Sequence, residues 1–112
     1  MKIYHNPRCS KSRQGLAILQ DAQVEVEIIN YIKNPISFKD LSNIIDKLDI
    51  PAIDLVRKNE AIWKENFKNK TLSEKEVIEA MVAFPKLIER PIVVDQNSAV
   101  IGRPPEKIKE LL

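Results

Sequence analysis

Cys9 is the only cysteine of this 112-residue sequence, and it lies in the segment HNPRCSKSR, residues 5–13. A thiol reacts as its thiolate, and a helix N-terminus with nearby cations lowers the pKa of a cysteine from about 8.5 to between about 3.5 and 7.5. Arg8 and Arg13 offer positive charge near Cys9, and His5 is a third candidate cation. The segment therefore predicts a nucleophilic thiolate at the start of a helix.

Each of these residue types also has a purely structural interpretation. A free cysteine is often a small buried hydrophobe, but the flanking Arg8 and Ser10 are not typical of a core position. A histidine at a strand end often satisfies only a backbone group, so both interpretations of His5 stay open. Ser12 occupies the place of the second thiol in a C-x-x-C motif, and its structural alternative is an ordinary hydrogen bond in the first helical turn.

A single thiol limits the redox chemistry of the chain. No internal disulfide can form, which agrees with a reducing compartment. If Cys9 is oxidised during turnover, another molecule must therefore reduce it.

Arginine placement is the second chemical signal. Only five of the eighteen basic residues are arginines, and none of them lies on a plainly solvated face. A planar guanidinium binds an oxyanion through paired hydrogen bonds, whereas lysine serves on solvated faces. A surface salt bridge is the alternative for each of Arg57, Arg90 and Arg103, but their joint placement favours an oxyanion site. Further anion-binding candidates are Arg13 and Ser12.

The first third of the chain predicts a strand, a helix and a second strand. KIYH, residues 2–5, is short and β-favouring. From Ser10 to about Asp21 the apolar residues share one face, which predicts a helix with Cys9 at its N-terminal edge. Residues 24–32, VEVEIINYI, alternate and are rich in β-branched side chains, so they predict a strand that completes a βαβ unit.

The middle of the chain predicts helices. Capping-box patterns start two of them, at Ser37 and at Ser73, and Pro85 ends or kinks the second. Between them, residues 52–60 are expected to form a short helical stretch. Residues 64–71 are expected to form a loop or a loosely packed helical turn.

The last part of the chain predicts a β-hairpin and a final helix. The apolar runs IVV and AVI are separated by DQNS, which is typical of a hairpin. The final helix starts after Gly102, with Pro104 and Pro105 in its first turn. Its apolar side comprises Ile108, Leu111 and Leu112.

The order βαβ, helices, ββα is the thioredoxin topology. We therefore predict an α/β thioredoxin-like fold with a four-stranded mixed sheet, flanking helices and a helical insertion at about 37–89, in one domain over residues 1–112. Thioredoxin-like folds place a cis-proline just before the third strand, and the residue before it faces the reactive sulfur. Pro91 directly precedes IVV. X-Pro bonds are cis in only about 5–6% of cases, but together with the rest of the pattern this position predicts that Arg90 faces Cys9.

Composition excludes several classes of function. The chain is 44% hydrophobic and 30% charged, which is typical of a soluble globular domain. Its net charge of +2 is too small and too dispersed for nucleic-acid binding. Its short apolar runs exclude a membrane span, and its charged start has no signal-peptide core. We expect a cytoplasmic protein with no metal and no bound cofactor.

Four motifs in this order, HNPRCSKSR, DLVRKNE, ERPIVV and IGRPPE, resemble the glutaredoxin-coupled arsenate reductases over nearly the whole chain. The resemblance implies that Cys9 is the nucleophile, that His5 helps to keep it ionised, and that three arginines bind the oxyanion, namely Arg57, Arg90 and Arg103. It further implies that Cys9 attacks arsenate, that glutathione is the thiol co-substrate that attacks the adduct, and that glutaredoxin clears the mixed disulfide left on the cysteine.

The chain departs from that family directly after the cysteine. Well-studied reductases often have a Gly-Thr pair there, whereas this chain has Ser10 and Lys11, as does a less characterised branch of relatives. This change touches the anion-facing loop and leaves two alternatives: a monothiol glutathione-dependent oxidoreductase, and a redox-related regulator that binds a protein partner such as RNA polymerase. Such regulators usually have a C-x-x-C switch, which Ser12 disfavours.

Overall fold

The computed structural model describes all residues, 1–112, as four strands, four α-helices and three 3-10 helices. The strands are β1 (Lys2–His5), β2 (Glu27–Asn30), β3 (Ile92–Val94) and β4 (Ala99–Ile101). The α-helices are α1 (Ser10–Asp21), α2 (Phe38–Leu48), α3 (Ala61–Asn66) and α4 (Glu74–Ala83). The 3-10 helices are Ala52–Leu55, Pro85–Leu87 and Pro105–Leu111.

These elements form two compact units, Met1–Asn34 with Arg90–Leu112, and Pro35–Glu89. The first unit contains the whole sheet, α1 and the C-terminal 3-10 helix, and the second contains all the other helices. No helix in either unit is both long enough and apolar enough to cross a membrane.

The sheet has the strand order β2-β1-β3-β4 and is mixed, as the sequence predicts. β1 pairs in parallel with β2 and antiparallel with β3, and β3 and β4 form the expected antiparallel hairpin. Ile3, Tyr4 and His5 of β1 are all buried, as is every residue of β3. Central strands that are covered on both faces are nearly continuous in apolar residues rather than alternating.

One edge of the sheet brings together the strand ends that carry chemically active residues. β1 ends at His5, which pairs with Asn30 at the end of β2. β3 begins at Ile92, which pairs with Tyr4 and with Ile101 at the end of β4. The chain segments that continue from these ends therefore lie at the same edge, and they include Cys9, Tyr31, Arg90 and Arg103.

β2 is shorter than the strand expected over residues 24–32. Its partner β1 has only four residues, and their pairing ends at Asn30. The Asn30 side-chain oxygen accepts hydrogen bonds from the N–H groups of Ile32 and Lys33, at 3.2 and 3.3 Å. Asparagine favours turns through such bonds, so the strand ends before Tyr31.

Helix α1 has the bounds that the sequence predicts, and Cys9 is its N-cap residue. Leu19, on the buried face of the helix, packs into an apolar cluster with Ile3, Val93 and Ile108. The cluster contains residues of β1, β3 and the C-terminal 3-10 helix, so it joins α1 to the sheet.

Gly15 allows α1 to approach Pro91 more closely than a larger residue would. A Cβ at this position would lie 2.8 Å from Pro91 Cγ and 2.8 Å from Ile108 Cδ1. Gly102 faces the same two side chains, and a Cβ there would lie 2.9 Å from each of these atoms. Both glycines therefore pack against the proline that follows Arg90.

The second unit is helical, and its two longer helices begin as predicted. The Ser37 hydroxyl accepts a hydrogen bond from the N–H of Asp40 at the start of α2. Ser73 and Glu76 form a complete capping box at the start of α4. Helix α4 ends before Pro85, which lacks the N–H that would continue it.

The region between α2 and α4 differs from the prediction. Only the first four residues of the expected helical stretch are helical, because Val56 is extended and pairs with Ile88. Helix α3 extends into residues 64–66, where a loop or a loosely packed helical turn was expected, so the helical alternative is the one found there. Its buried Trp63 stacks on Phe67 with ring centroids 5.4 Å apart, which stabilises the helix through packing rather than through a sequence cap.

The final helix winds as a 3-10 helix, in which the N–H of Lys107 donates to the carbonyl of Pro104. Side chains three residues apart share a face in this geometry. Ile108 is therefore fully buried and Leu111 is partly buried, whereas Leu112 is 52% exposed. The prediction that Leu112 belongs to the apolar side is wrong.

Candidate active site

Cys9 ends the loop that leads from β1 into α1. Its backbone is extended, with φ −95° and ψ 122°. Its N–H donates to the carbonyl of Asn6, and its own carbonyl accepts from the N–H of Arg13, both at 3.0 Å. This N-cap geometry leaves the thiol partly exposed and close to the unpaired N–H groups of the first helical turn, where negative charge is stabilised.

Arg103 contacts the sulfur directly. Its Nη2 donates to Cys9 Sγ across 3.4 Å, and its Nε donates to the backbone carbonyl of Arg90 across 2.7 Å. These two bonds involve different nitrogens of one planar guanidinium. The positive charge is therefore held in a defined orientation beside the sulfur.

Arg90 supplies a second guanidinium at Cys9. Burial alone would lower the pKa of Arg90, but its interactions with Cys9 and with Tyr31 raise it. Its Nε is buried and has no hydrogen-bond partner. The peptide bonds Arg90-Pro91 and Arg103-Pro104 are both cis. The guanidinium that acts on Cys9 thus has one buried donor without a hydrogen-bond partner.

The pKa of the Cys9 thiol lies below its ordinary value. Partial burial alone would raise this pKa. The backbone N–H of Ser12, the hydrogen bond and charge of Arg90, and the backbone N–H of Lys11 together outweigh burial and favour the thiolate. The helix terminus and an arginine from another strand end thus act together on one sulfur atom.

Ser12 joins His5 to the loop that precedes Cys9. The fully buried Ser12 Oγ lies 2.6 Å from His5 Nδ1 and accepts a hydrogen bond from the N–H of Asn6 at 3.0 Å. Burial lowers the pKa of His5, and the charge of Arg13 lowers it further. Both effects disfavour a positive charge on the imidazole, and the role of His5 in keeping Cys9 ionised stays a prediction.

Arg8 and Arg13, which were expected to supply charge at Cys9, are not among the groups that lower the pKa of its thiol. Both side chains are exposed, and Arg13 Nη1 donates to the carbonyl of Pro7 at 2.9 Å, which braces the loop. The guanidinium that lowers the pKa of Cys9 is that of Arg90. The charge at the sulfur comes from a distant part of the chain, not from its neighbours in sequence.

Arg57 lies in the second unit and is ion-paired there. Its Nη1 lies 3.0 Å from Glu89 Oε1, and its Nε lies 3.3 Å from Glu60 Oε1. Its backbone N–H donates to the carbonyl of Leu87 at 2.7 Å. The salt bridge that the sequence left open as an alternative for Arg57 is thus present, and its role in oxyanion binding stays a prediction.

Tyr31 was not among the predicted site residues. It is fully buried, and it interacts with the Arg90 guanidinium. In the sequence it is the only aromatic residue of an apparent strand, a pattern that predicts core packing. Its position at the end of a strand parallel to β1 is the signal that could have indicated the site, because such strand ends meet at one edge.

The arrangement is a cysteine sulfur with a lowered pKa, flanked by two guanidinium groups. A thiolate and an oxyanion repel each other, so cations that balance both charges favour attack by the sulfur on the central atom of the oxyanion. No group of three or more histidine, cysteine or carboxylate side chains is placed to hold a metal ion. The chemistry that this site supports is nucleophilic attack by sulfur on an anionic electrophile.

The fold and the site define a thioredoxin-like protein with one N-cap cysteine and two arginines at its sulfur. The sequence matches the ArsC family over residues 4–111. The chain belongs to this family.

Three similar proteins match this chain over nearly its whole length. The chain is 46% identical to uncharacterized protein YfgD of Escherichia coli (strain K12), over 100% of the chain and 96% of that protein. It is 40% identical to an arsenate reductase of Haemophilus influenzae, over 98% of the chain and 97% of that protein. The solved structure of an arsenate reductase from Vibrio cholerae superposes with a TM-score of 0.94 at 40% identity and covers 100% of this chain and 98% of its own.

Proposed function

We propose that this protein is an arsenate reductase that uses the Cys9 thiolate as nucleophile and external thiols to complete each turnover. The observation that carries the proposal is the pair of guanidinium groups at Cys9: Arg103 contacts the sulfur, and Arg90, which lowers the pKa of the thiol, has a buried Nε without a hydrogen-bond partner. A buried N–H donor in this position stabilises an anionic oxygen of the substrate. The Haemophilus influenzae relative is named arsenate reductase, which favours arsenate over other oxyanions of the same shape as the substrate.

In the first step, Cys9 Sγ attacks the arsenic of the arsenate dianion. An As–S bond forms and an As–O bond breaks, and the departing oxygen takes up two protons and leaves as water. The adduct keeps a negative charge on its remaining oxygens, which the guanidinium groups of Arg90 and Arg103 balance. Arg57 is the third oxyanion-binding arginine of this proposal.

In the second step, glutathione attacks the sulfur of the adduct. An S–S bond forms between Cys9 and glutathione, and the electron pair of the broken As–S bond stays on arsenic, which leaves as arsenite. Two thiols are thereby oxidised to one disulfide while As(V) is reduced to As(III). Glutaredoxin then reduces the mixed disulfide by thiol exchange and returns the Cys9 thiolate.

Two features of the chain support this dependence on outside thiols. Ser12 stands where a resolving cysteine would stand, and its hydroxyl is engaged with His5 and the backbone. Cys9 has no second thiol in the chain with which to form a disulfide. Because the cycle consumes reduced thiols, we place it in the cytoplasm.

The proposal is tested by arsenate-dependent NADPH oxidation in the presence of glutathione, glutaredoxin and glutathione reductase. Wild type and the control Arg8→Lys, which alters an exposed arginine, are expected to show an arsenate-dependent rate, and Cys9→Ser is expected to show none. Absence of that rate in wild type would sink the proposal. Turnover of glutathionylated disulfides without any arsenate reduction would favour a monothiol oxidoreductase, and Cys9-independent capture of RNA polymerase would favour the regulator.

A further inference from the structure

Ser12 joins three parts of the site region: the end of β1, the loop that follows it and the first turn of α1. Its side chain is fully buried, and its hydroxyl oxygen lies 2.6 Å from His5 Nδ1 and accepts a hydrogen bond from the N–H of Asn6 at 3.0 Å. His5 is the last residue of β1 and is itself buried. A side chain of the helix therefore contacts both the strand end and the loop.

The loop between β1 and α1 is organised around Asn6. The Asn6 side-chain oxygen accepts from the N–H of Arg8 at 3.0 Å, and its carbonyl accepts from the N–H of Cys9 at 3.0 Å. Those two bonds lie within the loop, whereas the bond from the Asn6 N–H to the Ser12 hydroxyl joins the loop to the helix. The position of Cys9 relative to the strand end therefore depends on this hydroxyl.

The direction of the bond between Ser12 and His5 follows from the hydrogens that are present. The Ser12 oxygen already accepts from the N–H of Asn6, and His5 Nδ1 is the acceptor that the structure offers to its single hydrogen. A buried O–H without an acceptor is unfavourable. A neutral imidazole has one nitrogen that accepts and one that donates, and burial and the charge of Arg13 both favour the neutral ring of His5 by lowering its pKa. Donation by Ser12 thus requires Nδ1 without a hydrogen and Nε2 with one.

We propose that Ser12 is a positioning residue for Cys9: its hydroxyl donates to His5 Nδ1, accepts from Asn6 and so holds the loop and the first helical turn around the thiol. Ser12 acts through these neighbours and does not touch the reacting atoms. Its single hydrogen is used in the bond to His5, so none is left to donate to an oxyanion. The inference rests on the proposed function only in taking Cys9 as the nucleophile.

The first measurement determines which ring nitrogen of His5 bears the hydrogen, and it is unambiguous because His5 is the only histidine of the sequence. The 15N chemical shift of an imidazole nitrogen differs strongly with and without a bound hydrogen. Long-range 1H–15N NMR of the wild type at about pH 8, above the ordinary histidine pKa of about 6.5, is expected to show the hydrogen on Nε2. In Ser12→Ala we expect His5 to titrate at a higher pH, because a bond that favours the neutral ring is gone.

The second measurement is the rate of Cys9 alkylation by iodoacetamide against pH. Arg90, Arg103 and the N–H of Lys11 all remain in Ser12→Ala, so a shift of the curve measures the loss of the hydroxyl. Below the midpoint of the wild-type curve, Ser12→Ala is expected to react about threefold more slowly, the effect of losing one neutral hydrogen bond. At high pH, where the thiol is fully ionised in both proteins, the two rates are expected to agree.

The chain offers a matched control in Ser10, which lies in the same first turn but is exposed. Ser10→Ala is expected to leave both the His5 titration and the alkylation curve unchanged. Four results would overturn the inference: a hydrogen on Nδ1 in the wild type, an unchanged alkylation curve in Ser12→Ala, an equal shift in Ser10→Ala, or a Ser12→Ala rate that rises at every pH because the fold is loosened. Neither measurement contains arsenate, so their outcome stays distinguishable from that of the arsenate reduction assay.

Discussion

Arg103 and Cys9 are 94 residues apart in the chain, and their Nη2 and Sγ atoms lie 3.4 Å apart. The contact exists because β4 ends beside the start of β3, and β3 starts beside the end of β1. The same guanidinium donates to the carbonyl of Arg90, so the two arginines at the sulfur are linked. The reactivity of the thiol thus depends on the register of the sheet as well as on the helix that follows Cys9.

Replacing Arg103 by lysine keeps the charge but cannot reproduce both bonds of the guanidinium. A hydrogen bond to a charged group contributes about 1.5–3 kcal/mol, so we expect kcat/KM for arsenate to fall about tenfold or more in Arg103→Lys. Steady-state kinetics measure the loss, with Arg8→Lys as the conservative control on an exposed arginine. Equal activity in both variants would mean that only the charge of Arg103 matters.

Arg57 has two roles that mutation can separate. Arg57→Gln removes both its ion pairs and its predicted contact with the oxyanion, whereas Glu60→Gln removes only one ion pair. We expect the KM for arsenate to rise about tenfold in Arg57→Gln, the effect of losing one charge-assisted bond, and to stay unchanged in Glu60→Gln. If both variants lose unfolding free energy and neither changes KM, Arg57 is only structural.

His5 makes stability depend on pH in a defined direction. Its pKa is lower in the folded chain than in the unfolded chain, so the unfolded chain binds the extra proton. We therefore expect the free energy of unfolding to fall as the pH drops below about 6.5, the ordinary histidine value. Urea unfolding at about pH 7.5 and about pH 5.5 measures this change across that value.

The measurement is made in a Cys9→Ser background, because the thiol has a lowered pKa of its own. His5 is the only histidine of the sequence, so His5→Gln should flatten the pH dependence in this window. An equal pH dependence with and without the histidine would contradict the assignment of a neutral, buried His5.

Gly15→Ala tests the close packing of α1 on Pro91. Alanine is the better helix former by about 1 kcal/mol, but its Cβ would lie 2.8 Å from a proline ring that has little freedom to move. Overpacking of this kind costs about 1–3 kcal/mol, so we expect Gly15→Ala to lower the free energy of unfolding. In Gln14→Ala, which changes an exposed neighbour on the same helix, the change should stay within about 0.5 kcal/mol. A higher free energy of unfolding in Gly15→Ala would show that α1 can move away from Pro91 without a measurable cost.

Local patterns in the sequence predicted much of the fold. The bounds of α1, the capping box at Ser73, the hairpin of β3 and β4 and the mixed four-stranded sheet all agree with the structure. The first three of these features depend on periodicity, caps or turns within a short segment, whereas the mixed sheet was predicted from the order of the elements along the whole chain. The short β2 and the helix α3 depend instead on tertiary contacts, namely the length of β1 and the edge-to-face contact of Phe67 with Phe84.

The candidate site also combines residues that the sequence identified with interactions that only the fold determines. Residue type and position singled out Cys9, Arg90 and Arg103, and the sheet brings these three together. The sequence does not show which arginines supply charge at the Cys9 sulfur. Arg13 is close to Cys9 in sequence, but its guanidinium donates to the carbonyl of Pro7. Tyr31 was missed because an aromatic residue at a strand end is usually a core residue, and its interaction with Arg90 depends on the order of the strands in the sheet.

The central claim is that Cys9 attacks arsenate and is left bound to glutathione. Intact-mass spectrometry of the protein after incubation with arsenate and glutathione, without glutaredoxin, tests it most directly. Because Cys9 is the only cysteine, one glutathione per chain can be disulfide-bonded only to that residue. We expect this species in wild type with arsenate, and we expect it to be absent when phosphate replaces arsenate. An unmodified protein, or glutathione bound equally without arsenate, would contradict it.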